Sequence, residues 1–362
     1  MSNIFNLIQT FIYILLLFYG GLGKEYYFPF LTASILWLIF SFLVLVLRKK
    51  QIDFPPGFNL FTVFLLFFTL NLFWTVQFWT TLFYLLIFVI GFLLWIISFN
   101  FRAQFKNFDS LVIFLALTFG VLTIFNLLTR PTLETGSFGL YKFATKNHHH
   151  IGDLWALVIP LLLAKLITLR KKGLLWLFLL VLGAYFVYLS QSRSAILSLL
   201  AGLLYSAYFL PQVKKYRQAF FLFIFLGVFL FLFFAKSKPT ILGRVYYAQG
   251  VAGLVKHPYG VGIGNFTEIS ADPANHLLDL REFSSVAMNI ILEMFTGIGV
   301  FALVFFIWFI KVLVSVLENS ANKNLVAKVI FIALTVNFMF DFTYFVPTML
   351  WLWFISLGLS QS

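Results

Sequence analysis

Arg193 stands in Ser190-Gln191-Ser192-Arg193-Ser194, the one charge in a short polar turn between two apolar runs. A guanidinium is a planar fork of N–H donors that matches phosphate oxygens two at a time. Ser192 and Ser194 add hydroxyl donors, and a helix starting at Ser194 would add backbone N–H groups and the positive end of its dipole. Arg244 offers a second guanidinium further along, Glu293 places a carboxylate in an apolar run, and His257 and His276 supply imidazoles. Arginines aimed at a departing anion lower a barrier, because the charge they meet grows in the transition state. A carboxylate or imidazole beside a hydroxyl nucleophile completes such a site without a metal or cofactor.

Two further stretches could shape a site. "HPYGVGIGNF" runs from His257 to Phe266 with Pro258 and Gly260, Gly262 and Gly264, followed by Asn265. Such a run lets the backbone turn sharply and approach a ligand closely. No Gly-Lys-Ser/Thr follows it and no strand–helix unit surrounds it, so it is neither a P-loop nor a dinucleotide fingerprint. "TKNHHHIGDLW" carries His148, His149, His150 and Asp153. Adjacent helical positions point about 100° apart, so the three imidazoles do not converge on one ion. Each candidate also has a plainer reading: Arg193 and Arg244 as lipid-headgroup anchors, Glu293 and Asp341 as paired structural carboxylates, His257 and His276 as loop residues.

These residues need a scaffold, and composition identifies its solvent. Of 362 residues, 62% are hydrophobic and 10% charged, with 51 phenylalanines, against about 25% charged in soluble domains. Without cysteine there is neither a disulfide framework nor a thiolate metal site. Apolar runs of bilayer-spanning length fall at about 4–19, 28–47, 58–74, 78–98, 109–128, 151–169, 173–190, 194–210, 218–235, 285–315, 325–340 and 345–359. The expected fold is therefore all-α: a single polytopic membrane domain over 1–362, with about twelve transmembrane helices and a large loop, 236–284, between spans nine and ten. The first run lacks a basic start and a small-residue cleavage site, so it is expected to be retained.

Basic clusters orient the bundle. Arg48-Lys49-Lys50, Arg102 with Lys106, Arg170-Lys171-Lys172, Lys214-Lys215-Arg217 and Lys323 with Lys328 occupy alternate loops, which the positive-inside rule assigns to the cytoplasm. Both termini then lie inside, and the Arg193 turn, the 130–150 loop and the 236–284 loop lie outside. The net charge of +13 is thereby explained by membrane topology rather than by nucleic acid. Within the large loop, Ile241, Leu242, Val245, Tyr246, Leu254 and Val255 lie near helical spacing, which predicts a short interfacial helix.

In order, "SQSRSAILSLLAGLL", "GRVYYAQGVAGLVKHPYGVGIGNF" and "SSVAMNIILEMFTGIGVFALV" resemble the O-antigen ligase and O-antigen polymerase family across most of residues 140–305. The resemblance implies a metal-independent glycosyltransferase of the cell inner membrane, with its active site facing outward. It would move a glycan from an undecaprenyl-diphosphate carrier to a sugar hydroxyl. The implied partners are that donor, a glycan or lipid acceptor, membrane lipids, a flippase and a chain-length regulator. Arg193, Arg244 and Glu293 match family positions, Arg193 being the arginine assigned to the carrier diphosphate and Arg244 a second arginine at the start of the large loop. Ligases have a His-Asn pair shortly before the glutamate, where this chain reads Ser284-Ser285. That departure favours polymerisation of O-antigen or exopolysaccharide repeats over ligation to a lipid or protein, and leaves His276 as the nearest imidazole. The resemblance also places His148, His150 and Asp153 near the acceptor, and the residues' own chemistry offers Ser192, Ser194, His257, Gly262, Gly264 and Asn265 as further substrate contacts. A polysaccharide or lipid-linked sugar transporter is the competing reading; paired repeats and mid-span charges would mark it, but no repeat is evident and few charges lie deep in a span.

Overall fold

A helix satisfies all of its own backbone hydrogen bonds, so apolar runs facing lipid have no simpler solution. The computed structural model describes residues 51–102, 148–168, 174–190, 192–209, 245–275, 284, 286–318 and 324–361, with scattered positions between 35 and 43 and between 218 and 229. All regular structure among them is helical. We number the helices α1 (Phe58–Asn71), α2 (Phe78–Phe101), α3 (His148–Thr168), α4 (Leu174–Ser190), α5 (Arg193–Phe209), α6 (Val245–Lys256), α7 (Ile290–Ile298), α8 (Ala302–Glu318), α9 (Leu325–Phe338) and α10 (Pro347–Ser360). Helix α6 is the short helix expected at the start of the large loop. Two stretches, Phe78–Phe101 and Ile290–Glu318, are long and apolar enough to cross a membrane. The runs at 4–19 and 109–128, and most of 28–47 and 218–235, lie outside the described residues.

The expected span at 285–315 corresponds to Ile290–Glu318, with an interruption at Gly299. Residues 286–289 precede α7 without helix, and the chain turns at Gly299 before α8. The cause is the Pro258–Ile263 segment, which docks on the end of α7. Val261 N–H donates to Thr296 O at 3.0 Å, Gly262 N–H to Gly297 O at 2.8 Å, and Val300 N–H to Pro258 O at 2.9 Å. The carbonyls that a helix end leaves without intrahelical partners are thus met by the loop.

Packing brings α3 against α4 and α5, α5 against α9, α9 against α10, α10 against α2, and α1 against α8. The core is aromatic: Trp95, Trp155, Trp308, Trp351 and Trp353 are fully buried with Phe61, Phe64, Phe68 and Phe88. Small residues let helices close in. A methyl on Gly91 would meet the Phe354 ring at 2.4 Å, and one on Gly358 would meet Trp95 O at 2.6 Å. Large apolar side chains such as Leu66, Trp79, Val181 and Tyr208 point outward from the bundle.

Polar ties define two ends. At one, Asn100 brackets Asp53 through two bonds, Trp95 Nε1–H donates to Gln361 Oε1 at 2.9 Å, and Asn324 donates to Leu359 O at 2.7 Å. At the other stand the turns after α1, α4 and α9, the start of α3, and the Pro258–Asn265 loop. The described loops expected to lie outside therefore share one end of the molecule.

Candidate active site

The Arg193 turn is built by its serines. Ser192 caps α5: its hydroxyl accepts from Ala195 N–H at 3.2 Å, while Ile196 N–H donates to Ser192 O at 3.2 Å. Such a cap contributes about 0.5–2 kcal/mol to a helix. Ser190 holds the other side, donating to Val187 O at 2.8 Å and accepting from Ser192 N–H at 3.2 Å. Gly152 on α3 makes this approach possible, since a Cβ there would lie 2.1 Å from Ser190 Oγ. Arg193 is thereby fixed as the first residue of a 17-residue helix, half-buried at the polar end.

Behind the turn lies a carboxylate node. Asp153, on α3 and 1% exposed, has one oxygen, Oδ1, in contact with Ser192 Oγ and Ser194 Oγ, each at 3.1 Å, and accepting from Asn337 Nδ2 at 2.8 Å. Ser194 Oγ also lies 2.8 Å from Ser192 Oγ and 2.8 Å from Asp341 Oδ2. Asp341 Oδ1 accepts from Phe342 N–H at 2.7 Å, and Thr343 donates to Asn337 Oδ1. Three helices and the turn after α9 converge here. Ser192 and Ser194 are 4% exposed, so their hydroxyls serve the aspartates and each other. Through the cap on α5 they fix where the backbone of Arg193 stands.

A second node surrounds Glu293. Asn289 caps α7, accepting from Leu292 N–H at 3.0 Å, and places Glu293 in the first turn. The carboxylate is fully buried, with Gly264 N–H on Oε1 at 2.9 Å, Ala287 N–H on Oε2 at 3.0 Å and Tyr344 OH at 3.5 Å from Oε2. Burial first, and then the adjacent Glu293 charge, push the Tyr344 phenol well above its ordinary value, so it remains a donor. Glu293 therefore acts as a clamp between the glycine loop and the segment before α7.

The glycine loop is likewise a packing element. Gly262 and Gly264 have φ of +98° and +85°, a region that costs side-chain-bearing residues free energy. A Cβ at Gly262 would lie 1.8 Å from Thr75 Oγ1, and one at Gly264 2.3 Å from the Tyr84 ring. Asn265 donates to Thr75 Oγ1, Thr81 Oγ1 and Val261 O at 2.9, 3.1 and 3.1 Å. Asn265 anchors the loop to the α1–α2 turn and the start of α2, and the two glycines let it lie close against Thr75 and Tyr84. His257 is exposed and makes a backbone turn, with its carbonyl accepting from Gly260 N–H at 2.8 Å. His148 and His150 lie in the first turn of α3, one turn before Asp153, whereas Arg244 and His276 lie outside the described residues.

Three members of the site escape a reading by motif: Gly152, Asn337 and Thr343. None carries a reactive group, and each matters only through a distant contact. Among the described residues, no three His, Cys, Asp or Glu side chains come together to hold a metal ion. No protein-family model matches the chain, and no curated protein matches it in sequence.

Proposed function

We propose that the protein is an integral membrane glycosyltransferase of the O-antigen ligase and polymerase type, with both termini in the cytoplasm and about twelve spans. It takes a glycan from an undecaprenyl-diphosphate carrier at the outer face of the inner membrane and joins it to a sugar hydroxyl, polymerising envelope polysaccharide repeats. The observation that carries this reading is the rigid placement of Arg193. Arg193, half-buried at the start of a long helix, is placed by a serine turn that is itself pinned to Asp153 and Asp341. Fixed donors aimed at a departing diphosphate need no reorganisation as its charge develops, which is where electrostatic catalysis is strongest. The same end bears the turn after α9 and the loop after α6, which can form walls around a glycan.

The test is direct. Purified protein in lipid nanodiscs is incubated with a synthetic undecaprenyl-diphosphate oligosaccharide, and products are resolved by mass. Lengthened chains support polymerisation, and transfer to a second lipid supports ligation. Unchanged donor, with well-folded protein and both acceptors supplied, refutes the transferase reading.

A further inference from the structure

The transfer needs a group to accept the proton of the attacking hydroxyl, and the described carboxylates differ sharply in fitness for it. Glu293 is enclosed and engaged by two backbone amides. Asp153 is buried behind the serines. Asp53 and Glu318 belong to the opposite end, Asp272 pairs with Lys256 at 2.7 Å on the exposed side of the loop, and Glu268 lies beside Gln77. Asp341 alone among them is partly exposed and joined to the Arg193 turn, through the 2.8 Å contact of its Oδ2 with Ser194 Oγ. The Oδ1 contact with Phe342 N–H fixes the carboxylate's orientation.

We infer that Asp341 is the general base of the transfer, working opposite Arg193 across the reacting anomeric carbon. This rests on the transferase proposal and deepens it by assigning the acceptor side of the same site. The acceptor oxygen forms a bond to the anomeric carbon while the bond from that carbon to the diphosphate oxygen breaks. The electron pair leaves with undecaprenyl diphosphate, beside Arg193. The hydroxyl proton passes to the Asp341 carboxylate. Ser194 links the two sides: adjacent to the arginine in sequence and hydrogen-bonded to the base, it sets their separation.

The test uses the full chain in nanodiscs with the same donor. Wild-type turnover is measured first; its absence removes the transferase reading itself, before any variant is compared. Given turnover, Asp341→Asn and Asp341→Ala are expected to lose about 10²–10⁴ in kcat, the range for a general base, with donor binding retained. Sodium formate, a small carboxylate able to enter the vacated space, should restore part of the Asp341→Ala rate and none of the Arg193→Ala rate. Asp341→Glu, which keeps a carboxylate, should retain more activity than Asp341→Asn at matched thermal stability. Turnover of Asp341→Asn within tenfold of wild type overturns the assignment. So does an Asp341→Ala loss untouched by formate together with equal activities of the Glu and Asn variants.

Discussion

Thr343 and Tyr344 are neighbours in one turn of 3-10 helix, yet each closes a different carboxylate node. Thr343 donates to Asn337, which holds Asp153; Tyr344 faces Glu293. The turn after α9 thus ties the arginine-bearing turn to the glycine loop, and a disturbance at one node is expected to reach the other.

Arg193→Ala should lose roughly 10²–10³ in transfer rate, or about 2.7–4 kcal/mol of transition-state stabilisation, with expression unchanged. Arg193→Lys keeps the charge but not the planar fork and should recover only part. Transfer assays on matched amounts of protein check both; full activity in the lysine variant with a mild alanine defect marks a headgroup anchor instead.

Glu293→Gln should lower stability rather than act on chemistry alone. The carboxylate offers two oxygens to Gly264 and Ala287 N–H; a carboxamide offers one and turns an NH₂ towards the other amide. An unmet buried donor costs about 1–3 kcal/mol. Thermal unfolding and limited proteolysis near Gly264 should report it.

Gly262→Ala should destabilise by about 1–3 kcal/mol or more, the cost of a side chain in a sparsely populated backbone region, with the Thr75 collision added. A fall in unfolding temperature checks this. An unchanged temperature would show that the loop detaches from the α1–α2 turn at little cost.

Asn337→Ala removes a donor from buried Asp153 and the partner of Thr343. We expect a loss of about 1–3 kcal/mol, read by thermal unfolding.

Orientation is testable because the chain has no cysteine. Single cysteines near Arg48 or Lys171 should resist an impermeant thiol reagent in intact cells, and those near Lys238 or Asp272 should react. Labelling at Lys171 in sealed cells would reverse the topology.

Helix positions were legible where apolar runs end in polar turns: α2, α4, α5, α9 and α10 begin and end within a few residues of the runs that predict them. The break at Gly299 was not, because the loop that causes it comes from elsewhere in the chain and pairs through backbone. Arg193 was legible as an isolated charge. The role of its serines was not, because it depends on Asp153 and Asp341, 41 and 147 residues away. Asn265 shows the same limit: its partners Thr75 and Thr81 lie 190 and 184 residues upstream, beyond any local spacing rule.

The close fit of α10 against α2 sets a schedule for synthesis. Trp95 and its partner Gln361 are 266 residues apart, and a ribosome adds about 5–20 residues per second. The groove at Gly91 therefore stays open for on the order of ten seconds or more, until Phe354 emerges to fill it. During that interval α2 has only its neighbours in sequence and the partners that emerge earlier, such as Asn265 on Thr81 and Trp308 beside Trp95. A stall between α9 and α10 would leave it so, as a substrate for membrane quality control.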